Sequence, residues 1–245
     1  MPSKHARHAP SSVFRTLVCS AWVSFTENLP YQKGNYAASL GTAIHEISET
    51  ILKEQINNLS TEDHWLGQEM QVEGDAIVIE QKHCDWSKVY TDYVFGREKE
   101  LNAKKFIEQR VDVKEINPDL WGTADIILVC DDLIEIIDLK TGTWPVSPER
   151  NSQMSIYALG ALIKHNKEDP NTEVIMTIVQ PRAKNPIRSY TTTAEQLSNY
   201  AYDVLKPALD LADSENPVFV YDKEACRFCP GKAICTTFQQ HNTGV

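Results

Sequence analysis

Three side chains in one short stretch have the types and spacing for chemistry on a phosphate. Between Trp121 and Thr143 two apolar, β-branched runs, Ile126 to Val129 and Leu133 to Ile137, flank an acidic turn at Asp131-Asp132. That is the pattern of a hairpin of two buried strands. Each strand carries an acid foreign to a core, Asp125 and Asp138, and Lys140 follows the second by two residues. Strand side chains alternate, so Asp138 and Lys140 share a face about 7 Å apart. A buried carboxylate needs a partner. The bland solution is an ion pair, Asp138 with Lys140 or Asp125 with an arginine. The other is a metal: two carboxylates and a main-chain carbonyl make a hard-oxygen site suited to Mg²⁺ or Mn²⁺. Lys140 beside it could orient or help deprotonate a water, or stabilise charge developing on phosphate.

The elements that must position these groups follow from periodicity. Ala37, Leu40, Ile44, Ile47, Ile51 and Ile56 recur at helical spacing and predict a helix over Ala37 to Asn57, with His45 and Glu49 on one face. A short helix is predicted from Phe14 to Trp22, a loop from Asn28 to Gly34, a strand over Ala76 to Glu80, and a helix around Trp86 to Val94 ending before Phe106. Phe106 to Val113 reads as a strand leading into the hairpin. A helix from Glu149 or Arg150 to His165 carries Gln153 and Tyr157 one turn apart. Glu173 to Val179 is a strand with Arg188 to Thr192 as its hairpin partner, and Thr193 with Gln196 caps a helix reaching Ala212. This order implies an α/β fold with helices packed on a central mixed sheet.

Composition sets bounds. The 245 residues are 42% hydrophobic and 24% charged, enough for one globular core. A net charge of −10 removes any global basic field, so contact with nucleic acid would need a local stripe. Two such groups exist, Lys104-Lys105 with Arg110, and Arg182, Lys184 and Arg188 near Tyr190; scattered charges of this kind are usually a solvated face. No run of about 18 apolar residues predicts a membrane span. Residues 1–12 are expected to be disordered and hold no apolar segment behind Lys4 and Arg7, so no secretory signal is expected.

Six cysteines are too few for a disulfide scaffold of this length, and three crowd between Cys226 and Cys235, pointing to metal ligation in a reducing cytoplasm. Two readings are open. His241 could complete a Cys₃His zinc site, or a remote cysteine, with Cys19 the candidate, could complete an iron–sulfur site. Cys84 and Cys130 fall outside the pattern, Cys130 as a core residue.

Gly41-x-x-x-His45, Gly122-x-x-Asp125, Asp138-x-Lys140-Thr141-Gly142 and Gln153-x-x-x-Tyr157, in this order, resemble the RecB-like branch of the PD-(D/E)XK nucleases, and Ala37 to Glu49 is similar to a phage-encoded group within it. The likeness spans about residues 14–235. It implies a restriction-endonuclease-like core in one domain over 1–245, with residues 13–35 and 213–240 joined at a cysteine cluster. It implies that His45, Asp125 and Asp138, with the Leu139 carbonyl, hold the divalent metal, that Lys140 is the catalytic lysine, and that Gln153 and Tyr157 lie against the DNA backbone. It further implies a [4Fe–4S] cluster on Cys19, Cys226, Cys229 and Cys235, as in AddB-type and CRISPR-associated relatives of that branch, rather than Zn²⁺. Glu49, one turn from His45, reads as a surface glutamate or as a partner of that histidine.

The resulting expectation is a cytoplasmic, metal-dependent deoxyribonuclease, more an exonuclease on free or single-stranded DNA ends than an endonuclease, acting alone, as a homo-oligomer or with a recombination or replication protein. A DNA-binding accessory protein with little turnover and a redox-sensing iron–sulfur protein are the alternatives. Members of the phage group are expected to continue further past the last cysteine.

Overall fold

The structure is a computed structural model that describes residues 6–30, 32–54 and 64–242. Its frame is a five-stranded sheet built from β3 (Lys104–Asp112), β4 (Trp121–Val129), β5 (Leu133–Leu139), β6 (Glu173–Val179) and β7 (Ile187–Thr193), in that spatial order. Neighbours run antiparallel except β5 and β6, which are parallel. A parallel pair needs a crossover, and α5 (Ser152–Lys164) supplies it. The Asn151 side chain starts that helix by accepting from the Met154 amide at 3.1 Å. The mixed α/β sheet flanked by helices is the expected fold class.

Helices cover both faces. On one lie α3 (Tyr36–Glu54) and α4 (Gln81–Leu101), burying Ile44, Leu52, Tyr90 and Val94 against Ile126, Leu128, Ile137 and Leu139. On the other lie α5, α6 (Ala194–Tyr200), a π-turn at Ala201–Leu205 and α7 (Lys206–Ala212), packed on Ile127, Ile134, Ile136 and Ile178. Burial on both faces explains why β5 reads as continuous apolar sequence rather than as alternation. Seating α5 requires a glycine: a Cβ at Gly160 would lie 2.6 Å from the Cβ of Val111 on β3.

Several expectations are corrected. The helix expected from Phe14 to Trp22 is two pieces, α1 (Val13–Thr16) and α2 (Trp22–Thr26). Between them the Ala21 amide bonds the Val218 carbonyl and Ser20 Oγ accepts from the Val218 amide, so tertiary pairing replaces the helical ladder. The single strand expected at Ala76 to Glu80 is half of a hairpin, β1 (Glu69–Val72) with β2 (Asp75–Val78). Helix α4 begins at Gln81, earlier than the apolar pattern shows, because Glu80 and His83 form a reciprocal cap. The expected α3 end at residues 55–57 lies outside the described residues. Residues 6–12 are ordered: His8 is buried, and its Nε2 lies 3.0 Å from both carboxylate oxygens of Asp213. Thr193 caps α6 as expected, but the Gln196 side chain accepts from Thr192 instead of closing the box. Two short helices, α8 (Lys223–Arg227) and α9 (Thr236–Asn242), end the described chain, and no described helix is long and apolar enough to cross a membrane.

Candidate active site

The β4–β5 ladder stops at Ile126 opposite Ile137. One residue further along β4, Asp125 Oδ2 accepts from the Leu139 amide at 2.9 Å, taking the place of a main-chain partner. The β3–β4 ladder breaks at the same level. Ile107 pairs with Ile126 and Gln109 with Ala124, but Glu108, opposite Asp125, is skipped and has a backbone φ of 47°. Left-handed backbone at a non-glycine residue costs on the order of 1 kcal/mol and clusters where a side chain must be re-aimed. Both strands switch faces here. Phe106 and Ile127 pack toward α5 before the break, and Val111 and Ala124, of opposite parity, pack toward it after the break. The switch delivers two acids side by side on neighbouring strands.

Around them opens a cleft of about 880 Å³, lined among others by His45, Glu49, Glu108, Asp125, Asp138, Leu139, Lys140, Gln153 and Tyr157. Every residue expected at the metal and catalytic site therefore lines one cleft. Helix α3 brings His45, and Gly41 lets it approach, since a Cβ there would meet Thr141 Oγ1 at 2.8 Å. Ligand atoms of His45, Glu108 and Asp125 lie within 4.8 Å of one another, and His45 Nδ1 is 3.5 Å from Asp125 Oδ2. Glu108 was not anticipated, because within Phe106 to Val113 it reads as an ordinary strand acid. Glu49, beside it in the cleft, pairs with Lys53.

Asp138 belongs to a second group, on the α5 side. Lys140 Nζ lies 2.9 Å from Asp138 Oδ2 and donates to Gln153 Oε1 at 2.9 Å. Gln153 Nε2 in turn donates to Asp138 Oδ1 at 3.3 Å and to the Tyr157 hydroxyl at 3.2 Å. The amide thus ties acid, lysine and phenol together, and Asp138 Oδ2, buried, still lacks a well-aligned hydrogen bond.

Electrostatics marks the cleft as short of positive charge. Burial, with Asp125 and Glu49 nearby, pushes Glu108 up to about 8. Burial and Asp138 push Asp125 up to about 6 despite His45. Burial disfavours the Lys140 ammonium, but the Asp138 contact outweighs it and holds the amine charged. Two under-neutralised acids beside an imidazole fit a hard divalent cation.

Four of the cysteines border a different cavity. All six are free. Cys19, Cys226, Cys229 and Cys235 line a common apolar cavity with Trp22, Phe25, Phe219 and Phe238. His241 is not among the lining residues and stacks on Tyr221, ring centroids 4.4 Å apart. Of the two basic groups, Lys105 and Arg110 are engaged by Glu98 and Asp112. Arg182 instead donates to the carbonyl oxygen of Thr141, a residue that lines the cleft, at 3.2 Å.

The sequence matches the family described as "Protein of unknown function (DUF2800)" over residues 5–245. Among solved structures, the chain is similar to a "Putative exonuclease" from Eubacterium rectale, at 10% identity and a TM-score of 0.49 over 96% of this chain and 87% of that one. It is also similar to SSO0001, at 12% identity and a TM-score of 0.33 over 93% and 95%. At these values neither transfers a role to a residue.

Proposed function

We propose that this chain, which belongs to the DUF2800 family, is a divalent-metal-dependent deoxyribonuclease of the RecB-like PD-(D/E)XK type, acting on DNA with free or single-stranded ends. The observation that carries this reading is the convergence, in one cleft, of His45, Glu108 and Asp125 with the Asp138–Lys140–Gln153 group. His45, Glu108 and Asp125 would hold Mg²⁺ or Mn²⁺, with Asp138 and the Leu139 carbonyl alongside. When bound, the cation supplies Lewis acidity at the scissile phosphate and lowers the pKa of a nearby water.

The protein's own groups do the remainder. Lys140, kept as an ammonium by Asp138, neutralises charge that builds on a non-bridging phosphate oxygen. Gln153 fixes the amine by accepting from it while donating to the aspartate, so the lysine cannot swing out toward solvent. Tyr157, accepting from Gln153, keeps its own proton for a phosphate oxygen. Arg182, beside the Thr141 carbonyl, continues the positive track along the strand.

The apolar cavity supports a four-cysteine [4Fe–4S] site that joins the two ends of a single domain, in preference to a zinc site needing His241. Iron–sulfur charge transfer colours a protein brown, whereas d¹⁰ zinc does not. Anaerobically purified protein is expected to be brown, to lose the colour in Cys19→Ala and to keep it in His241→Ala. For the nuclease reading, the test is digestion of end-labelled single-stranded DNA in EDTA, Mg²⁺ and Mn²⁺. Cleavage restored by either metal is the expected result; no cleavage with either would remove it.

A further inference from the structure

Outside the cleft, one cluster is conspicuously exposed. Trp144 is 72% exposed and Phe228 67%, although burial of such rings is what usually stabilises a fold. Between them lies Arg227, its guanidinium 5.0 Å from the Trp144 ring centroid and 5.1 Å from that of Phe228.

The loop holding Trp144 is built, not loose. Gln180, fully buried at the end of β6, donates to the Gly142 and Trp144 carbonyl oxygens at 2.8 Å each and accepts from the Val146 amide at 3.1 Å. Arg188 also donates to it. The buried amide pins the backbone from which the exposed indole projects. That backbone adjoins the cleft: Thr141 and Gly142 line it, and Trp144 follows two residues later.

We propose that Trp144, with Arg227 and Phe228, is a stacking platform for an unpaired base of the DNA strand whose phosphate enters the cleft. The inference rests on the nuclease reading and deepens it by assigning single-strand preference to named residues. Aromatic rings beside a cation suit a base and its phosphate together. A base inside a duplex is stacked on both faces and cannot offer one to Trp144, whereas an unpaired base can. Two residues span at most about 7 Å, so the base belongs to a nucleotide close to the cleft wall at Gly142. The platform also connects the two special regions of the fold, since Arg227 and Phe228 lie between Cys226 and Cys229.

The test uses the full-length protein, wild type, W144A, W144F and the double variant R227A/F228A, with Ca²⁺ in place of the catalytic metal. Fluorescein-labelled oligo(dT) and a blunt duplex of equal length are titrated by anisotropy. W144A and R227A/F228A should bind oligo(dT) roughly five- to a hundredfold more weakly, W144F should retain most affinity, and duplex binding should not change. In Mg²⁺, W144A should raise KM for a single strand and leave kcat within about twofold. An abasic site scanned along the nucleotides next to the cut should, at one position, weaken wild type to the level of W144A and leave W144A unaffected; no such position would overturn the platform. A wild type that cleaves DNA while W144A binds oligo(dT) normally, or loses single strand and duplex alike, overturns the platform and leaves the nuclease standing. A wild type that neither binds nor cleaves DNA overturns both.

Discussion

The partners of Glu135, Asp125, Asp138 and Glu108, four of the acids on this sheet, separate scaffold from candidate site. Glu135 on β5 is fully buried yet satisfied: Arg97 reaches it at 2.8 and 2.9 Å, the Tyr93 hydroxyl at 3.0 Å and Thr177 Oγ1 at 2.7 Å. Glu135→Ala would take the shared acceptor from Tyr93, Thr177 and Arg97, leaving Arg97 only its pair with Glu100 at 2.8 Å, and should lower unfolding free energy by about 3 kcal/mol in a denaturant titration. Asp125, Asp138 and Glu108 have no such set of donors. Glu108→Gln should weaken Mn²⁺ affinity at least about tenfold while raising the thermal midpoint of the metal-free protein, because a penalised buried acid is gone. Unchanged Mn²⁺ affinity would remove Glu108 from the ligand set. Asp125, Asp138 and Lys140 stood out in the sequence because charge interrupts β-branched runs. Glu135 interrupts the same run, yet nothing local reveals Arg97 as its partner. Glu108 was hidden because its role depends on one left-handed backbone angle that alternation cannot encode.

At the scale of elements, glycines set the closest approaches. Gly41 lets α3 bring His45 against the Thr141 loop, and Gly160 lets α5 bring Gln153 and Tyr157 over β3. Gly160→Ala forces its methyl into Val111 and should destabilise by about 1–3 kcal/mol while lowering kcat, read from a melt and a turnover assay on the same sample. Intact turnover would mean that α5 does not position the site. Helical periodicity located α3 and α5, and short β-branched apolar runs located the β4–β5 hairpin and β6, whose strands are largely buried on both faces. These signals failed at α1–α2, where Ser20 and Ala21 pair with Val218, and at β1, too short to show a pattern. The register break at Glu108 and Asp125 was equally invisible. A two-residue period fits both sides of it, and only packing shows that the faces exchange.

Across the whole molecule, distant segments close on one another. Arg7 and His8 meet Asp213, and Asn117 Nδ2 donates to the same carboxylate at 2.8 Å. Cys19 lines one cavity with the three C-terminal cysteines. If that cavity holds a cluster, it orders Arg227 and Phe228 as well. Cys226→Ala should then lose both the brown colour and single-strand affinity, to the level of R227A/F228A, with Mn²⁺ affinity in the cleft unchanged; preserved oligonucleotide binding would separate the two regions. DNA hydrolysis in the cleft between α3, β4 and α5, proposed above, is tested most directly by single-turnover cleavage of an end-labelled single strand in Mn²⁺ by wild type and Asp138→Ala, with matched circular dichroism. Wild type should cleave, and the variant should lose on the order of a thousandfold or more under that proposal. Full cleavage by Asp138→Ala would contradict it.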